Sequence, residues 1–156
     1  MKVIFLDVDG VLNCQADFDK ASKDQAAHQE LGNALVGDRQ LTALQWLVKS
    51  TGAKIVMSST WRLGQVGERH RLAIHAILFS RGLEFIGMTG SVGWGSNRGQ
   101  EIQNWLDMHG DVGSYVILDD INDMLPRQQD NFVQTSFSGP GLLMNHVDKA
   151  IEILNG

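Results

Sequence analysis

The chain has little of several residue types, and each shortage excludes a class of protein. Its 156 residues include one cysteine, Cys14, and two prolines. A single cysteine excludes an intramolecular disulfide framework and is typical of a reduced, cytosolic setting. The first apolar run, residues 3–6, is cut by Asp7, so it is too short for a signal peptide or a membrane-spanning helix. We therefore expect a cytoplasmic protein that does not act on membranes.

Positive charge is also scarce, with 13 Lys and Arg against 18 Asp and Glu and a formal net charge of -5. This balance gives no basic footprint of the kind that nucleic-acid-binding domains carry, although a metal ion and a few arginines could still bind phosphate locally. Since 43% of the residues are hydrophobic, residues 1–156 fit one compact domain with a substantial core.

Short apolar runs with strand character recur along the chain, and none shows the strict polar alternation of a half-exposed sheet. They lie at residues 3–6, 54–57, 83–86, 115–118 and 131–133, and they predict buried parallel strands. Between them, apolar residues recur three to four positions apart, as in amphipathic helices. This alternation predicts an α/β fold, a doubly wound parallel sheet of about five strands with helices on both faces. Ligands of such sheets bind beyond the carboxyl ends of the strands.

Two stretches fit neither pattern. Residues 13–37 contain few large apolar side chains, so they predict a flap, a short helix or at most a minimal cap, and not a second core. Residues 87–99 contain five glycines around Trp94 and predict a mobile loop that leads into a helix starting near Arg98. We expect no large cap domain in either stretch.

The first predicted strand ends in an Asp-x-Asp-Gly pattern formed by Asp7, Asp9 and Gly10. Carboxylates two residues apart on a strand lie on one side of the extended backbone, and the glycine lets the chain turn sharply away. Like charges that close cannot both stay ionised cheaply. The pattern therefore favours a divalent metal ion, or one ionised nucleophile beside one protonated acid.

Hydroxyl and guanidinium groups follow the second predicted strand directly. The residues are Ser58, Ser59, Thr60 and Arg62. Their hydroxyls and backbone amides can bind phosphoryl oxygens, and the Arg62 guanidinium can add a bidentate fork. The same hydroxyls could instead cap the next helix.

Three more acids follow the fourth predicted strand, at Asp119, Asp120 and Asp123. Such acids alone are typical of a turn or a helix cap. In partnership with Asp7, they are hard oxygen ligands of the kind that Mg²⁺ prefers, together with waters and substrate phosphate. Arg98, at the start of a predicted helix over residues 99–109, adds a positive charge to this set.

The order of these motifs resembles the haloacid dehalogenase (HAD) superfamily of aspartate-nucleophile phosphohydrolases. The matching segments are DVDGV at 7–11, the serine at 58, the basic residue at 98 and DDINDM at 119–124. More narrowly, SSTWR, RGQEIQNWL and YVILDD resemble a small capless branch associated with phosphatase domains of RNA-repair proteins. The resemblance implies a Rossmann-like HAD core and Mg²⁺ as the cofactor.

The resemblance also implies a role for each acid. Asp7 would attack phosphorus in line and become an aspartyl phosphate. Asp9 would protonate the leaving oxygen and then activate the hydrolytic water. The Asp7 carboxylate, the Asp9 backbone carbonyl and Asp119 would hold Mg²⁺. Asp120 and Asp123 could bind the ion too, or orient its waters.

The other motif residues would bind the phosphoryl group. Ser58 would donate a hydrogen bond to a transferring oxygen, with Ser59 as the other candidate because the doubled serine leaves the register open by one residue. Arg98 would pair with Asp7 and with the phosphoryl group, where preorganised charge favours phosphoryl transfer. Further candidates for substrate binding are Thr60, Arg62 and Gly10.

The function implied by the resemblance is magnesium-dependent phosphomonoester hydrolysis. Carbon–halogen cleavage is disfavoured, because a halide leaves without a proton and Asp9 would be superfluous. Two alternatives stay open. One is a polynucleotide end phosphatase in nucleic-acid repair, and the other is a non-hydrolytic phosphate-binding or phosphoacceptor signalling domain. Receiver domains of the latter class lack a proton donor two residues after the phosphoacceptor.

The expected lack of a cap bears on the partners. Water must then be excluded by the substrate, by the 87–99 loop or by a neighbouring subunit. The phosphorylated substrate would be a small metabolite or the end of a nucleotide or oligonucleotide, and a homo-oligomer could seal the site. Trp61 and Trp94 either pack or stack on a base, whereas Trp46 and Trp105 lie on apolar helix faces and are predicted to be core residues.

Overall fold

The structure, a computed structural model, describes residues 1–23, 36–91 and 97–156. Its strands are β1 (Lys2–Leu6), β2 (Lys54–Met57), β3 (Phe85–Met88), β4 (Ser114–Asp119) and β5 (Phe132–Gln134). All paired strands are parallel, in the order β3-β2-β1-β4-β5. The helices described are α1 (Gln15–Lys23), α2 (Asp38–Thr51), α3 (Gly64–Ser80), α4 (Arg98–Met108) and α5 (Met144–Asn155). The predicted α/β fold with a five-stranded parallel sheet is confirmed.

The two faces of the sheet bury different helices, because successive strand residues point to opposite sides. Ile4 and Leu6 of β1 belong to one apolar core, which they share with α2, α3 and α5. Val3 and Phe5 belong to a second core shared with α4, where the Phe5 ring meets the Trp105 ring edge-on at 5.4 Å. Helices therefore cover both faces, as in a doubly wound sheet.

The third strand differs from its prediction. It begins at Phe85 and not at residue 83, because the Leu83 amide still donates to the Leu78 carbonyl in the turn that ends α3. Leu83 is apolar because it packs in the core beside that turn. The strand is also half-exposed, with Ile86 50% exposed, because in the described chain it pairs only with β2 and forms a sheet edge.

The prediction that Trp46 is a core residue is wrong. Its side chain is 51% exposed, whereas Trp105 is buried as predicted. Leu44 and Leu47 form the buried face of α2. Trp46 follows Leu44 by two residues, about 200° around the helix, so its side chain leaves that face.

Hydrogen bonds continue past the end of each strand and align the segments that follow. The Asp7 amide donates to the Leu118 carbonyl at 3.0 Å, and the Ser58 amide donates to the Leu6 carbonyl at 3.0 Å. The Thr89 amide likewise donates to Met57 at 2.9 Å. The residues after β1, β2, β3 and β4 therefore lie side by side at the carboxyl edge of the sheet.

The two irregular stretches are described in part. Within residues 13–37, α1 covers Gln15–Lys23, and the rest of the expected flap at 24–35 lies outside the described residues. Residues 92–96, with Trp94, do so as well. The described chain contains no large cap domain, in agreement with expectation. None of its helices combines the length and the apolar character needed to cross a membrane.

Helix α4 is docked through a glycine at its second residue. The Gly99 amide donates to the Asp123 carbonyl at 3.0 Å, and the Gly99 carbonyl accepts from the Gln128 side chain at 2.9 Å. A Cβ at this position would lie 2.6 Å from the Leu125 backbone nitrogen. The close approach of two backbones thus places Arg98 at the edge of the sheet.

We predict that Gly99→Ala lowers the free energy of unfolding by about 1–3 kcal/mol, because a backbone atom cannot move aside as a flexible side chain can. Urea denaturation of the purified variant measures the change. Gly110→Ala is the matched control, since nothing lies within 4 Å of a Cβ built there. Equal stability of the two variants would contradict the close contact.

Candidate active site

Three carboxylates meet at the carboxyl edge of the sheet. Asp7 follows β1, and Asp119 and Asp120 lie at the end of β4. Each offers an oxygen, and these three oxygens lie within 4.8 Å of one another. Asp7 and Asp119 are buried. The structure thus brings together acids that are 112 residues apart in the sequence, because β1 and β4 are neighbours with their ends in register.

Burial raises the pKa of all three acids, and the charge of a neighbouring carboxylate adds to each shift: Asp9 acts on Asp7, and Asp7 acts on Asp119 and Asp120. Desolvation is the main cause in each case. For Asp119, desolvation and the negative charge of Asp7 raise the pKa to about 7. Arg98 opposes the shifts at Asp7 and Asp119 by attraction. A hard divalent cation would relieve the repulsion, and an all-oxygen donor set suits Mg²⁺. These residues fit a magnesium site.

Gly10 makes room for this cluster. Its φ of +77° lies in the left-handed region, and a Cβ would lie 2.4 Å from Cγ of Asp120. Its amide donates to Oδ1 of Asn13 at 3.0 Å, and its carbonyl accepts from the Thr135 hydroxyl at 2.6 Å. Gly10 was expected among the substrate-binding residues. In the structure, its amide is engaged by the protein and its lack of a side chain admits Asp120.

Arg98 places its guanidinium between the carboxylates. Its Nη1 lies 3.4 Å from Asp7 Oδ1 and 3.6 Å from Asp119 Oδ2. The side chain is 15% exposed, so these pairs are shielded from solvent and their attraction is stronger than that of surface pairs. Arg98 thus reaches Asp7, as the resemblance implies.

Asp123 contacts the helix that carries Arg98. Its Oδ2 accepts from the Arg98 amide at 3.0 Å, and its carbonyl accepts from the Gly99 amide. A carboxylate at this position accepts from a helix amide that has no partner within the helix, and it is stabilised by the partial positive charge of the helix N-terminus. In the described chain, the group of acids that could hold a metal is Asp7, Asp119 and Asp120. Of the two open candidates, the geometry therefore favours Asp120 as the ligand and gives Asp123 a capping contact.

Arg62 does not present the fork to phosphate that its position suggested. Its side chain is 2% exposed. The guanidinium donates to the carbonyls of Ser58, Ser59 and Thr89 at 2.6–2.9 Å and to Glu101 Oε2 at 2.5 Å. Its donors are directed inwards because three strand-end carbonyls and a buried carboxylate surround it. Arg62 thus joins the ends of β2 and β3 to α4.

Glu101 is a residue of this site that the sequence pattern did not indicate. It is buried, it pairs with Arg62, and its Oε2 lies 4.0 Å from Nε of Arg98. One carboxylate therefore contacts both arginines. Because Glu101 follows Arg98 by three residues on a helix, this spacing could have predicted the contact between them.

The hydroxyls after β2 and β3 are placed differently from one another. Ser59 Oγ accepts from the Trp61 amide at 3.2 Å, and its hydrogen bond to Asp7 lowers the pKa of that acid against the effect of burial. In the described chain, the Ser58 and Thr89 hydroxyls are buried without a hydrogen-bond partner. Thr60 is exposed. Buried unpaired hydroxyls require a ligand or an ordered water, so the structure leaves both serines as candidates and adds Thr89.

The carboxylate of Asp9 is not part of the group of three acids that could hold a metal and is bound by two donors of the protein. Its Oδ2 accepts from the Trp61 indole Nε1 at 2.8 Å, and its Oδ1 accepts from Asn13 Nδ2 at 2.9 Å. Neither the indole contact nor the Asn13 contact was predicted from the sequence, which left Trp61 between packing and base recognition. The Asn13 contact is made within the turn that follows Asp9, whereas Trp61 is 52 residues away and only the fold brings it to Asp9.

Comparison with known families agrees with this geometry. Residues 3–147 match the family described as the HAD domain in Swiss Army Knife RNA repair proteins. The chain belongs to this family. Searches of the curated proteins and of the solved structures gave no significant match. The predicted membership of the HAD superfamily is confirmed, and the five-stranded parallel sheet with its helices agrees with a HAD core.

Membership of the HAD family supports a hydrolase or phosphatase activity. Proteins of this kind generally use Mg²⁺, and the buried Asp7 and Asp119, together with the partly buried Asp120, could hold such an ion.

The raised pKa of Asp119 predicts how stability depends on pH. Between the ordinary value of 3.8 and the folded value of about 7, Asp119 holds its proton in the folded state more than in the unfolded state. The contribution of Asp119 to the free energy of unfolding of the metal-free protein therefore falls as the pH rises through this interval. We expect the melting temperature to drop from pH 5 to pH 8, and to drop less in Asp119→Asn.

Added Mg²⁺ should raise the melting temperature more at pH 8 than at pH 5, because its ligands must be deprotonated to bind it. Thermal unfolding with and without the ion at both pH values measures this. A pH slope that Asp119→Asn leaves unchanged would refute the assignment of the slope to this acid.

Proposed function

We propose that the protein is a magnesium-dependent phosphomonoester hydrolase that acts through an aspartyl phosphate on Asp7. The observation that carries the proposal is the meeting of Asp7, Asp119 and Asp120 within 4.8 Å beside the Arg98 guanidinium. A buried carboxylate beside fixed positive charge is suited to attack phosphorus. Membership of a HAD family supports the same chemistry.

In the first step, an Asp7 oxygen forms a bond to phosphorus while the bond from phosphorus to the leaving oxygen breaks. Asp9 gives its proton to that oxygen, so the product leaves as an alcohol. In the second step, Asp9 takes a proton from a water that attacks the aspartyl phosphate. The bond between phosphorus and Asp7 then breaks, inorganic phosphate leaves, and both acids return to their first state.

Positive charge and hydroxyl donors would stabilise the transferring group. Arg98, already 3.4 Å from Asp7, would pair with a phosphoryl oxygen, and the unpaired Ser58 hydroxyl would donate to another. Asp7, Asp119 and Asp120 would hold the Mg²⁺, which when bound neutralises the charge that repels two anions. Such fixed charge needs no reorganisation during the reaction.

We predict that Asp7→Asn lowers the turnover of 4-nitrophenyl phosphate with Mg²⁺ by at least about 10³-fold, because an amide does not replace the nucleophile. Steady-state kinetics measure the loss, and circular dichroism checks the fold. The exposed Asp148 gives the matched control Asp148→Asn, which should keep wild-type activity. Turnover that persists in Asp7→Asn would overturn the mechanism, and so would a wild-type acyl phosphate that is not hydrolysed.

The substrate we propose is a phosphorylated end of RNA. The RNA-repair description of the matched family supports this class, and so does the absence of a cap from the described chain, since an open site admits a polymer end. With a net charge of -5, affinity for the strand would come from a few local contacts to phosphates.

We predict a kcat/KM at least about 10-fold higher for an end-phosphorylated RNA oligonucleotide than for the corresponding mononucleotide at low salt. The advantage should shrink as salt is raised, because contacts to further phosphates release counterions. Assays of both substrates at two or more salt concentrations measure it. Equal kcat/KM for both would contradict an RNA-end substrate and leave a small phosphoester as the substrate.

A further inference from the structure

The carboxylate of Asp9 has a hydrogen-bond donor on each oxygen. Trp61 Nε1 donates to Oδ2 at 2.8 Å, and Asn13 Nδ2 donates to Oδ1 at 2.9 Å. An indole nitrogen can only donate, so its partner must be a carboxylate lone pair. Each Asp9 oxygen keeps a second lone pair. The two contacts therefore fix the plane of the carboxylate and leave both oxygens able to meet a third group.

The indole is itself held in place. Trp61 is 6% exposed and lies in the 3₁₀ turn Thr60–Arg62, where its amide donates to Ser59 Oγ at 3.2 Å. Its ring packs against the His70 ring of α3, with the centroids 4.6 Å apart. Because the Trp61 side chain is restrained in this way, its indole N–H restrains the orientation of the Asp9 carboxylate.

Asn13 gives the second restraint. It is fully buried, and its Oδ1 accepts from the Gly10 amide at 3.0 Å while its Nδ2 binds Asp9. Asn13 therefore closes the turn that follows Asp9. Trp61, in contrast, reaches Asp9 from the segment after β2, which also carries Ser58 and Ser59, the candidate phosphate-binding serines.

We propose that Trp61 is a positioning residue for proton transfer: its indole holds the Asp9 carboxyl so that the proton reaches the leaving oxygen. The inference rests on the proposed function of Asp9. It assigns Trp61 to orientation and not to stacking on a base, since the buried indole edge is already used by Asp9.

This role has a consequence that depends on the leaving group. An alkyl alkoxide, such as a ribose oxygen, is a poor leaving group and needs a proton as the bond breaks. 4-Nitrophenolate leaves without one. Because kcat/KM covers the steps up to phosphoryl transfer to Asp7, loss of orientation should lower kcat/KM for the alkyl ester far more than for the aryl ester.

The experiment compares Trp61→Phe with the wild type on a nucleoside monophosphate and on 4-nitrophenyl phosphate. We expect the ratio of the two kcat/KM values to change by at least about 10-fold, within the range of general acid catalysis. Equal losses on both substrates would overturn the proposal, because a merely structural role lowers both alike. Trp105→Phe, which removes a buried indole from the other core, controls for lost packing and should leave the ratio unchanged.

Asp9→Asn separates this inference from the proposed function. If Asp9→Asn does not change the substrate ratio, Asp9 is not the proton donor and the proposed mechanism fails. If Asp9→Asn changes the ratio and Trp61→Phe does not, only the role of Trp61 fails. In the double variant, Trp61→Phe should add no further change in the ratio, since the group it positions is gone.

A measurement on folded protein tests the contact even if Trp61→Phe does not fold. In protein labelled with ¹⁵N-tryptophan, Asp9→Asn should move one indole N–H resonance among those of the four tryptophans and speed its exchange with solvent. If no indole resonance responds, the hydrogen bond on which the proposal rests is absent.

Discussion

The structure depends on the burial of several carboxylates around one arginine. Asp7 and Asp119 lie beneath the surface at the ends of neighbouring strands, and Asp120 lies beside them. Arg98 contacts the first two from α4. Burial is the main reason that the pKa of each acid is raised, repulsion from neighbouring carboxylates adds to it, and Arg98 opposes the shift only at Asp7 and Asp119. Additional positive charge at this site is therefore favourable, and either a divalent cation or protons can supply it.

A short 3₁₀ turn, Thr60–Arg62, connects the parts of this site. Trp61 contacts Asp9, while Arg62 contacts three strand-end carbonyls and Glu101. Glu101 in turn lies within 4.0 Å of Arg98. Buried pairs of this kind cost desolvation and are retained only when their geometry is well satisfied. The turn therefore links the orientation of the Asp9 carboxylate to that of Arg98.

The meeting of Asp7, Asp119 and Arg98 followed from the sequence, and the reason is geometric. Apolar runs located β1 and β4, and acids directly after parallel strands must lie at one edge of the sheet. The start of a helix near Arg98 was also predicted from the sequence. The predicted strand bounds were less exact where an apolar residue lies in a turn and not in the strand, as Leu83 does. Trp46 was misplaced because an aromatic residue beside an apolar face was taken to be part of it.

By itself, the sequence determined the sheet, the strand ends that carry acids and the family to which the chain belongs, because periodicity and ordered motifs are local properties. Only the tertiary structure decided where each polar side chain is directed. Arg62 turns inwards, Asp123 contacts the start of α4, and Asp9 binds Trp61 and Asn13. These outcomes depend on which donors and acceptors the fold brings within about 3 Å, and hydrogen bonds fall off too steeply with distance and angle for spacing in the chain to fix them.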